Sequence, residues 1–271
     1  MKSIQLSYGN TNYELTGPET GPLVVLLHGG SIPMWTWDRQ VLVLANAGFR
    51  VLRYDMYGKG KSACPAVDYD RNLFCCQLLD LLNLLGLTEP AHLVGFSFGG
   101  ATAANFTAHH PEKVRTLALI SPVFYFAEAN HIVRISRLPI LGNLFLHFVL
   151  MKKALYRASK LWAGAKNAEH YGDLFREQTS QPGFERALLS FLRSDALGNY
   201  SSVYENLGVA GRKPLLVWGT NDEDIPASHI ARIRNLVPLA DYHELANIGH
   251  GAVFQASTAV NDLLLKHLGP A

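Results

Sequence analysis

Residues 23–27 read Leu-Val-Val-Leu-Leu, with no polar position among them. So short an unbroken apolar run predicts a strand covered on both faces of a parallel sheet. Upstream, residues 4–8 and 12–15 form two short strand patterns joined across Gly9-Asn10, which predicts an antiparallel hairpin. Downstream, strand patterns recur at 50–54, 91–94, 114–120, 214–218 and 241–245. Helical patterns fall between them. Residues 37–47 read as a helix closed by Gly48, and 99–109 as a helix of small residues. Over 70–85 the polar residues Gln77, Asp80 and Asn83 recur every third place on an otherwise apolar surface. That spacing predicts a largely buried helix, stopped by Gly86. Strands alternating with helices imply an α/β fold, a mostly parallel doubly wound sheet with right-handed crossovers.

The alternation stops between residues 124 and 204, where helical patterns continue and no strand pattern appears. This stretch is far longer than an ordinary connection between a strand and a helix. The reading is a core domain of residues 1–123 and 205–271, with 124–204 inserted as a helical cap, or lid. Its place is over the carboxyl edge of the sheet, where ligands of open α/β sheets bind. Within the insertion, residues 138–151 are strongly apolar but broken by Pro139, Gly142, Asn143 and His147. The favoured reading is a lid helix that packs on the core and lines an apolar pocket. A one-sided helix on a membrane surface is the lesser alternative.

Composition narrows the partners more than the fold. Over 271 residues, 48% are hydrophobic and 17% charged, which suits a globular chain and excludes general disorder. A net charge of +2 with dispersed basic residues gives no footprint for nucleic acid. Three cysteines make no disulfide framework, and Cys75 and Cys76 inside a helical pattern read as buried free thiols. No secretory signal opens the chain, and no run reaches the length of a membrane span, so the expected setting is cytoplasmic. No spacing of metal ligands is evident, and no cofactor is expected. Oligomeric state is left open.

The candidate chemistry lies where residues 91–94 run into Gly95-Phe96-Ser97-Phe98-Gly99-Gly100. A strand that turns sharply into a helix strains its central residue, and small residues two places to either side make such a turn feasible. Ser97 stands at that apex. A serine hydroxyl attacks at neutral pH only with a base beside it and donors for the oxyanion.

With these residues, the chain resembles the α/β-hydrolase superfamily over nearly its whole length. Gly95-Phe96-Ser97-Phe98-Gly99 is similar to that family's nucleophile elbow, with Ser97 as nucleophile. His28-Gly29-Gly30-Ser31 resembles its oxyanion loop, which assigns the backbone N–H groups of Gly30 and Phe98 to the oxyanion and leaves His28 a structural role. Gly249-His250 matches the family's Gly-His step and makes His250 the base. Gly219 to Pro226 carries the Gly-x-x-Asp-x-x-x-Pro spacing on Asp222, with Asp224 as the competing carboxylate. The order Ser97, Asp222, His250 is that of the family. Asp55 to Ser62 is similar to the family's structural Asp-x-x-Gly-x-Gly-x-Ser loop and lacks the four-residue gap of a phosphate-binding loop.

The resemblance implies a serine hydrolase acting through an acyl-enzyme, of carboxylesterase or monoacylglycerol-lipase type, on a small lipophilic ester. The apolar lid residues Phe124, Tyr125, Phe126, Leu141 and Phe145 favour an uncharged substrate, and the expected pocket comprises Ser31, Trp35, Phe124, Leu141 and Phe145. One rival is a carbon–carbon bond hydrolase of ring-cleavage products using the same triad. Those relatives usually carry tryptophan after the catalytic histidine, where this chain has Gly251. The other rival is a ligand-binding receptor with little turnover. Ser97 argues against dehalogenases and epoxide hydrolases, which need an aspartate nucleophile.

Overall fold

The computed structural model describes residues 2–129, 131–138, 140, 142, 144, 148, 151–162 and 167–271. Its centre is one eight-stranded sheet in the order β1-β2-β4-β3-β5-β6-β7-β8. In chain order these are β1 (Lys2–Leu6), β2 (Gly9–Thr16), β3 (Leu23–Leu27), β4 (Arg50–Tyr54), β5 (Ala91–Phe96), β6 (Val114–Ile120), β7 (Leu215–Gly219) and β8 (Asp241–Leu245). β1 and β2 pair antiparallel, and β2 is antiparallel to β4; every other pairing is parallel. The sheet is therefore the mostly parallel one expected, with its hairpin at one edge.

Burial follows position in the sheet. β3 and β5 are buried at every residue, whereas the edge strands β1 and β8 keep exposed positions. Side chains of β3 alternate between two cores, as the pleat requires. Leu23, Val25 and Leu27 face one, with Phe74, Leu78 and Phe106; Val24 and Leu26 face the other, with Leu44, Val260 and Leu264. The helices α1 (Val41–Asn46), α2 (Arg71–Leu84) and α3 (Phe98–His109) bring part of these partners. Asp70 caps α2 by accepting the Leu73 N–H at 2.8 Å.

Three local expectations are corrected. The hairpin turns at residues 7–8, with Leu6 opposite Gly9, rather than at Gly9-Asn10. Gly9 is needed instead for its φ of +141° and because a side chain there would strike the Ala63 methyl. The helix expected over 37–47 divides into a turn at Met34–Trp37 and the shorter α1, since Gln40 is drawn inward to donate to the Val253 carbonyl and Asn261 Oδ1, both at 3.1 Å. In α2, Cys76 is exposed, not buried, while Gln77 is fully buried. Gln77 accepts the Tyr57 N–H and donates to Thr11 Oγ1, each at 2.9 Å, so its amide is satisfied inside.

Between β6 and β7 the described residues form helices at Phe126–Ala129, His131–Ser136, Met151–Ser159, Ala168–Thr179, Phe184–Arg193 and Ser201–Val209. An aromatic cluster joins this region to the sheet. Trp35 stacks on Tyr171 with ring centres 5.0 Å apart and meets Trp162 edge-on at 5.4 Å. Among the described residues no helix is long and apolar enough to cross a membrane.

Candidate active site

The carboxyl ends of β3, β5, β7 and β8 point to one side of the sheet, and the loops leaving them meet there. After β5 the chain turns directly into α3, leaving Ser97 at φ 54° and ψ −118°. Such a conformation costs about 1–3 kcal/mol and persists only where the surroundings enforce it. Here the Ser97 N–H donates to the Ile120 carbonyl at 2.9 Å, and its carbonyl accepts from Gly100 at 3.0 Å and Val123 at 3.1 Å. The flanking glycines have a packing cause. A Cβ on Gly95 would overlap the Gly99 carbonyl, and one on Gly99 would overlap the carbonyls of Leu27 and His28. The elbow therefore rests against β3, beside the oxyanion loop.

The three side chains distant in sequence are brought together. Ser97 Oγ lies 2.9 Å from His250 Nε2, and His250 Nδ1 lies 2.8 Å from Asp222 Oδ2. An ionised carboxylate only accepts, so Nδ1 carries the proton and Nε2 is left free to receive the serine hydrogen. Asp222 Oδ1 is held by the backbone N–H groups of Asp224 at 2.9 Å and Ile225 at 2.8 Å. The Phe96 ring lies 5.0 Å from the imidazole and shields it. Asp224 reaches the same cavity and acts on His250 through its charge, while its backbone helps to hold Asp222.

Charge coupling sets the titration of this pair. Burial would lower the His250 pKa, but the opposing charge and hydrogen bond of Asp222, with Asp224 adding, raise it above the ordinary value. Burial likewise pushes the Asp222 carboxyl up, yet His250 and the Ile225 N–H hold it below its usual value. A base with a raised pKa stays protonated to higher pH. If His250 takes the serine proton, kcat/KM on a neutral ester will rise with pH through a midpoint above about 6.5, the ordinary histidine value. A pH–rate profile checks this; a midpoint at or below 6.5 would contradict the coupling.

His28 does not reach the reacting groups. Its Nδ1–H donates to the Gly29 carbonyl at 2.7 Å and its Nε2 accepts the Met56 N–H at 2.9 Å, a pattern that only neutral imidazole satisfies. Burial drives its pKa down to about 3. Because a peptide is planar and trans, pinning the Gly29 carbonyl toward His28 aims the Gly30 N–H the opposite way. Gly30 packs near the Phe98 Cβ, and neither Gly30 nor Phe98 donates its N–H to a backbone acceptor among the described residues. Two adjacent donors at the start of α3 suit an anion.

A bridge from the helical region, which sequence reasoning missed, steadies this loop. Gln178, buried in the helix Ala168–Thr179, donates to the Ser31 carbonyl at 2.9 Å and accepts the Gly60 N–H at 3.0 Å. The Gly60 loop is fixed in turn by the buried Asp55 carboxylate, which accepts from Asn12 at 2.7 Å, Met34 at 2.8 Å and Lys61 at 2.9 Å. This is the structural role expected of residues 55–62. Gln178→Leu leaves a buried donor and acceptor unmatched next to Gly30. The expected result is a kcat about tenfold lower with KM little changed, and a melting temperature several degrees lower. Steady-state kinetics with calorimetry decide it, and an unchanged kcat would remove Gln178 from loop positioning.

A cavity of about 680 Å³ opens on Ser97 and His250. Its apolar wall comes largely from one face of the helix Phe184–Arg193, where Phe184, Leu188, Phe191 and Leu192 follow the i, i+4, i+7, i+8 spacing. That spacing was available in the sequence. Ser31 lines the cavity as expected, and so does Phe126. Trp35 and Phe124 do not. Trp35 is committed to the aromatic cluster, and Phe124 is buried against Tyr204 and His229, with ring centres 5.9 and 5.7 Å away. Leu141 and Phe145 lie outside the described residues. The charged lining side chains among the described residues, besides His250, are Lys160, Glu223 and Asp224; Lys160 pairs with Glu223 at 3.2 Å.

A family model described as alpha/beta hydrolase fold matches residues 22–257. The chain is 29% identical to a 2-hydroxy-6-oxononadienedioate/2-hydroxy-6-oxononatrienedioate hydrolase of Comamonas testosteroni, over 96% of this chain and 92% of the relative. It is 24% identical to an uncharacterized carboxylesterase of Bacillus subtilis (strain 168), over 97% of this chain and 84% of that one. Among solved structures, an enol-lactonase from Burkholderia xenovorans LB400 shares the fold with a TM-score of 0.82 at 20% identity, covering 98% of this chain and 99% of the other.

Proposed function

This chain belongs to the α/β-hydrolase family, and from that premise we propose that it is a serine hydrolase cleaving carboxylic esters of lipophilic, uncharged substrates. The observation that carries the reading is the cavity. It is walled largely by apolar side chains and opens on the Ser97–His250 pair. An apolar wall favours a lipophilic, uncharged group over an ionised one, which would lose its hydration there. Residues 124–204 would act as the cap that shapes this wall.

In the proposed reaction Ser97 Oγ attacks the ester carbonyl as its proton passes to His250 Nε2. The carbonyl oxygen becomes an oxyanion held by the Gly30 and Phe98 N–H groups. Collapse expels the alkoxide, which leaves as the alcohol after taking the proton from His250. Water then attacks the acyl-enzyme, again losing its proton to His250, and the acid departs as Ser97 is restored. Asp222 fixes the imidazole tautomer and balances the transient imidazolium, staying ionised throughout.

The curated relatives support a second reading better than the first: hydrolysis of a carbon–carbon bond in a ring-cleavage product with the same three side chains, the activity that several of their names carry. Gly251 after His250 weighs against it. The test is a panel of p-nitrophenyl esters of graded chain length assayed beside a ring-cleavage dienoate. Ester turnover that rises from acetate to longer chains, with the dienoate slower, supports the ester reading. A dienoate faster than every ester replaces it with the second.

A further inference from the structure

Lys59 is a cation that the reaction scheme leaves without a task. It is buried, with 3% exposure, and its Nζ has no hydrogen-bond partner among the described residues. A buried charge without a counter-ion destabilises a fold, so its presence calls for a reason. The titratable groups around it offer no such partner. In its own loop the Asp55 carboxylate is taken up by Asn12, Met34 and Lys61. Burial raises the pKa of the Cys64 thiol and of the Tyr57 and Tyr69 phenols, so all three are uncharged at neutral pH. His28 is neutral, and the Lys59 charge adds to burial in keeping it so. From the helices Ala168–Thr179 and Phe184–Arg193, Glu177 pairs with Lys61 at 3.3 Å, and Arg186 donates to the carbonyls of Cys64 and Pro65. Burial lowers the Lys59 pKa to about 8, which leaves the ammonium largely charged at neutral pH.

What the ammonium does meet is an aromatic face. Nζ lies 4.7 Å from the centre of the Phe191 ring, the geometry of a cation–π contact. The same ring reaches both residues assigned to the oxyanion. Two of its edge carbons lie 3.2 and 3.3 Å from where a Cβ on Gly30 would stand. It meets the Phe98 ring edge-on with centres 4.8 Å apart, and Phe74 packs on it, also edge-on, at 5.9 Å. Phe191 therefore joins the Lys59 charge to the two N–H donors, while its helix supplies the wall of the cavity. An oxyanion hole works only when its donors are already aimed, so a ring pressed on both of them bears on the rate. The attraction between cation and ring disappears when the cation loses its proton.

We propose that Lys59 is a positioning residue of the oxyanion hole, whose charge holds the Phe191 ring against Gly30 and Phe98. The role is separate from that of Gln178, which steadies the same loop through the Ser31 carbonyl. It serves any reaction that builds an oxyanion at Ser97, by ester or carbon–carbon cleavage, and so rests on the serine chemistry and not on the choice of substrate.

The test follows the rate at which a fluorophosphonate labels Ser97, a reaction that needs the hole but no particular substrate. Above the His250 midpoint the rate should hold level, then fall about tenfold around a pH of about 8 as Lys59 releases its proton. Lys59→Met should start about tenfold lower and show no such fall. Its melting temperature should equal or exceed the parent's, because an unpaired buried charge has gone. Lys59→Arg stays charged throughout, so it should label within about threefold of the parent and keep that rate beyond about pH 9. Phe191→Leu should also lose the fall. Adding Lys59→Met to it should change the rate by less than about twofold, because the two side chains act through one contact. A labelled parent without the fall, or a Lys59→Met variant that labels as fast as the parent, overturns the proposal and leaves the serine hydrolase standing. Equal losses in folded Lys59→Met and Lys59→Arg proteins would overturn it too, by making Lys59 a packing residue. A parent that never labels at Ser97 refutes the serine chemistry itself, and the proposal with it.

Discussion

Ser97→Ala should lower ester turnover by about 10⁶-fold, the loss seen when the nucleophile of such a relay is removed. The size of the effect follows from what the change leaves behind. His250 and Asp222 keep their contact at 2.8 Å, and the Gly30 and Phe98 donors keep their places, yet no oxygen within reach can form the acyl-enzyme. The other lining hydroxyls, on Ser31 and Tyr156, make no hydrogen bond to His250 among the described residues. Folding should be unaffected. The strained backbone at φ 54° is imposed by the contacts of Gly95 and Gly99 and by backbone hydrogen bonds to Ile120, Gly100, Ala101 and Val123, none of which involves the hydroxyl. A melting temperature equal to or slightly above that of the parent is expected, since a polar group leaves a site arranged for reactivity rather than stability. A fluorophosphonate probe followed by mass spectrometry gives the companion result: one adduct on Ser97 in the parent and none in the variant. Turnover retained within tenfold, or a labelled variant, would mean that the nucleophile lies elsewhere.

How much of this was legible in the chain differs by element, for physical reasons. β3 and β5 were plain because strands buried on both faces write themselves as unbroken apolar runs. The elbow was plain because its glycines are demanded by backbone atoms only a few residues or one strand away. The triad could be placed because each member follows a strand pattern and sits in a motif of the family that the chain resembles, Gly95 to Gly99, Gly219 to Pro226 and Gly249-His250. Pocket lining was less legible. Trp35 and Phe124 are large apolar residues just past strand ends, where sequence cannot distinguish a side chain facing the cavity from one facing a neighbouring helix. Gln178 had no signal. A lone glutamine in a helix with exposed polar neighbours looks solvated, and only the docking of that helix on Ser31 and Gly60 buries it. The burial of Gln77 had no local signal either, because its partners Thr11 and Tyr57 come from other elements. Local chemistry was readable, whereas bridges between elements needed coordinates.

Asp222→Asn is the second large effect, expected to lower kcat by about 10⁴-fold. The direction in which the new carboxamide settles can be worked out. In the parent, Oδ1 accepts two backbone N–H groups, from Asp224 at 2.9 Å and Ile225 at 2.8 Å, while Oδ2 faces His250 Nδ1. An amide nitrogen cannot accept those two donors, so the asparagine oxygen takes the Oδ1 place and the NH₂ group turns to the imidazole. Nδ1 must then accept, the ring proton moves to Nε2, and Nε2 can no longer receive the proton of Ser97. Loss of the carboxylate charge also removes the main force holding the His250 pKa up, so what activity remains should rise through a midpoint shifted to lower pH. Asp224→Asn provides the control. It acts on His250 through its charge, and its backbone N–H to Asp222 survives the substitution. That variant should stay within about tenfold of the parent, with only a small downward move of the same limb. Equal losses in the two variants, or a larger loss at Asp224, would assign the orienting acid to Asp224. A low rate at Asp222→Asn with the pH limb unmoved would mean that the carboxylate supports the loop rather than the imidazole.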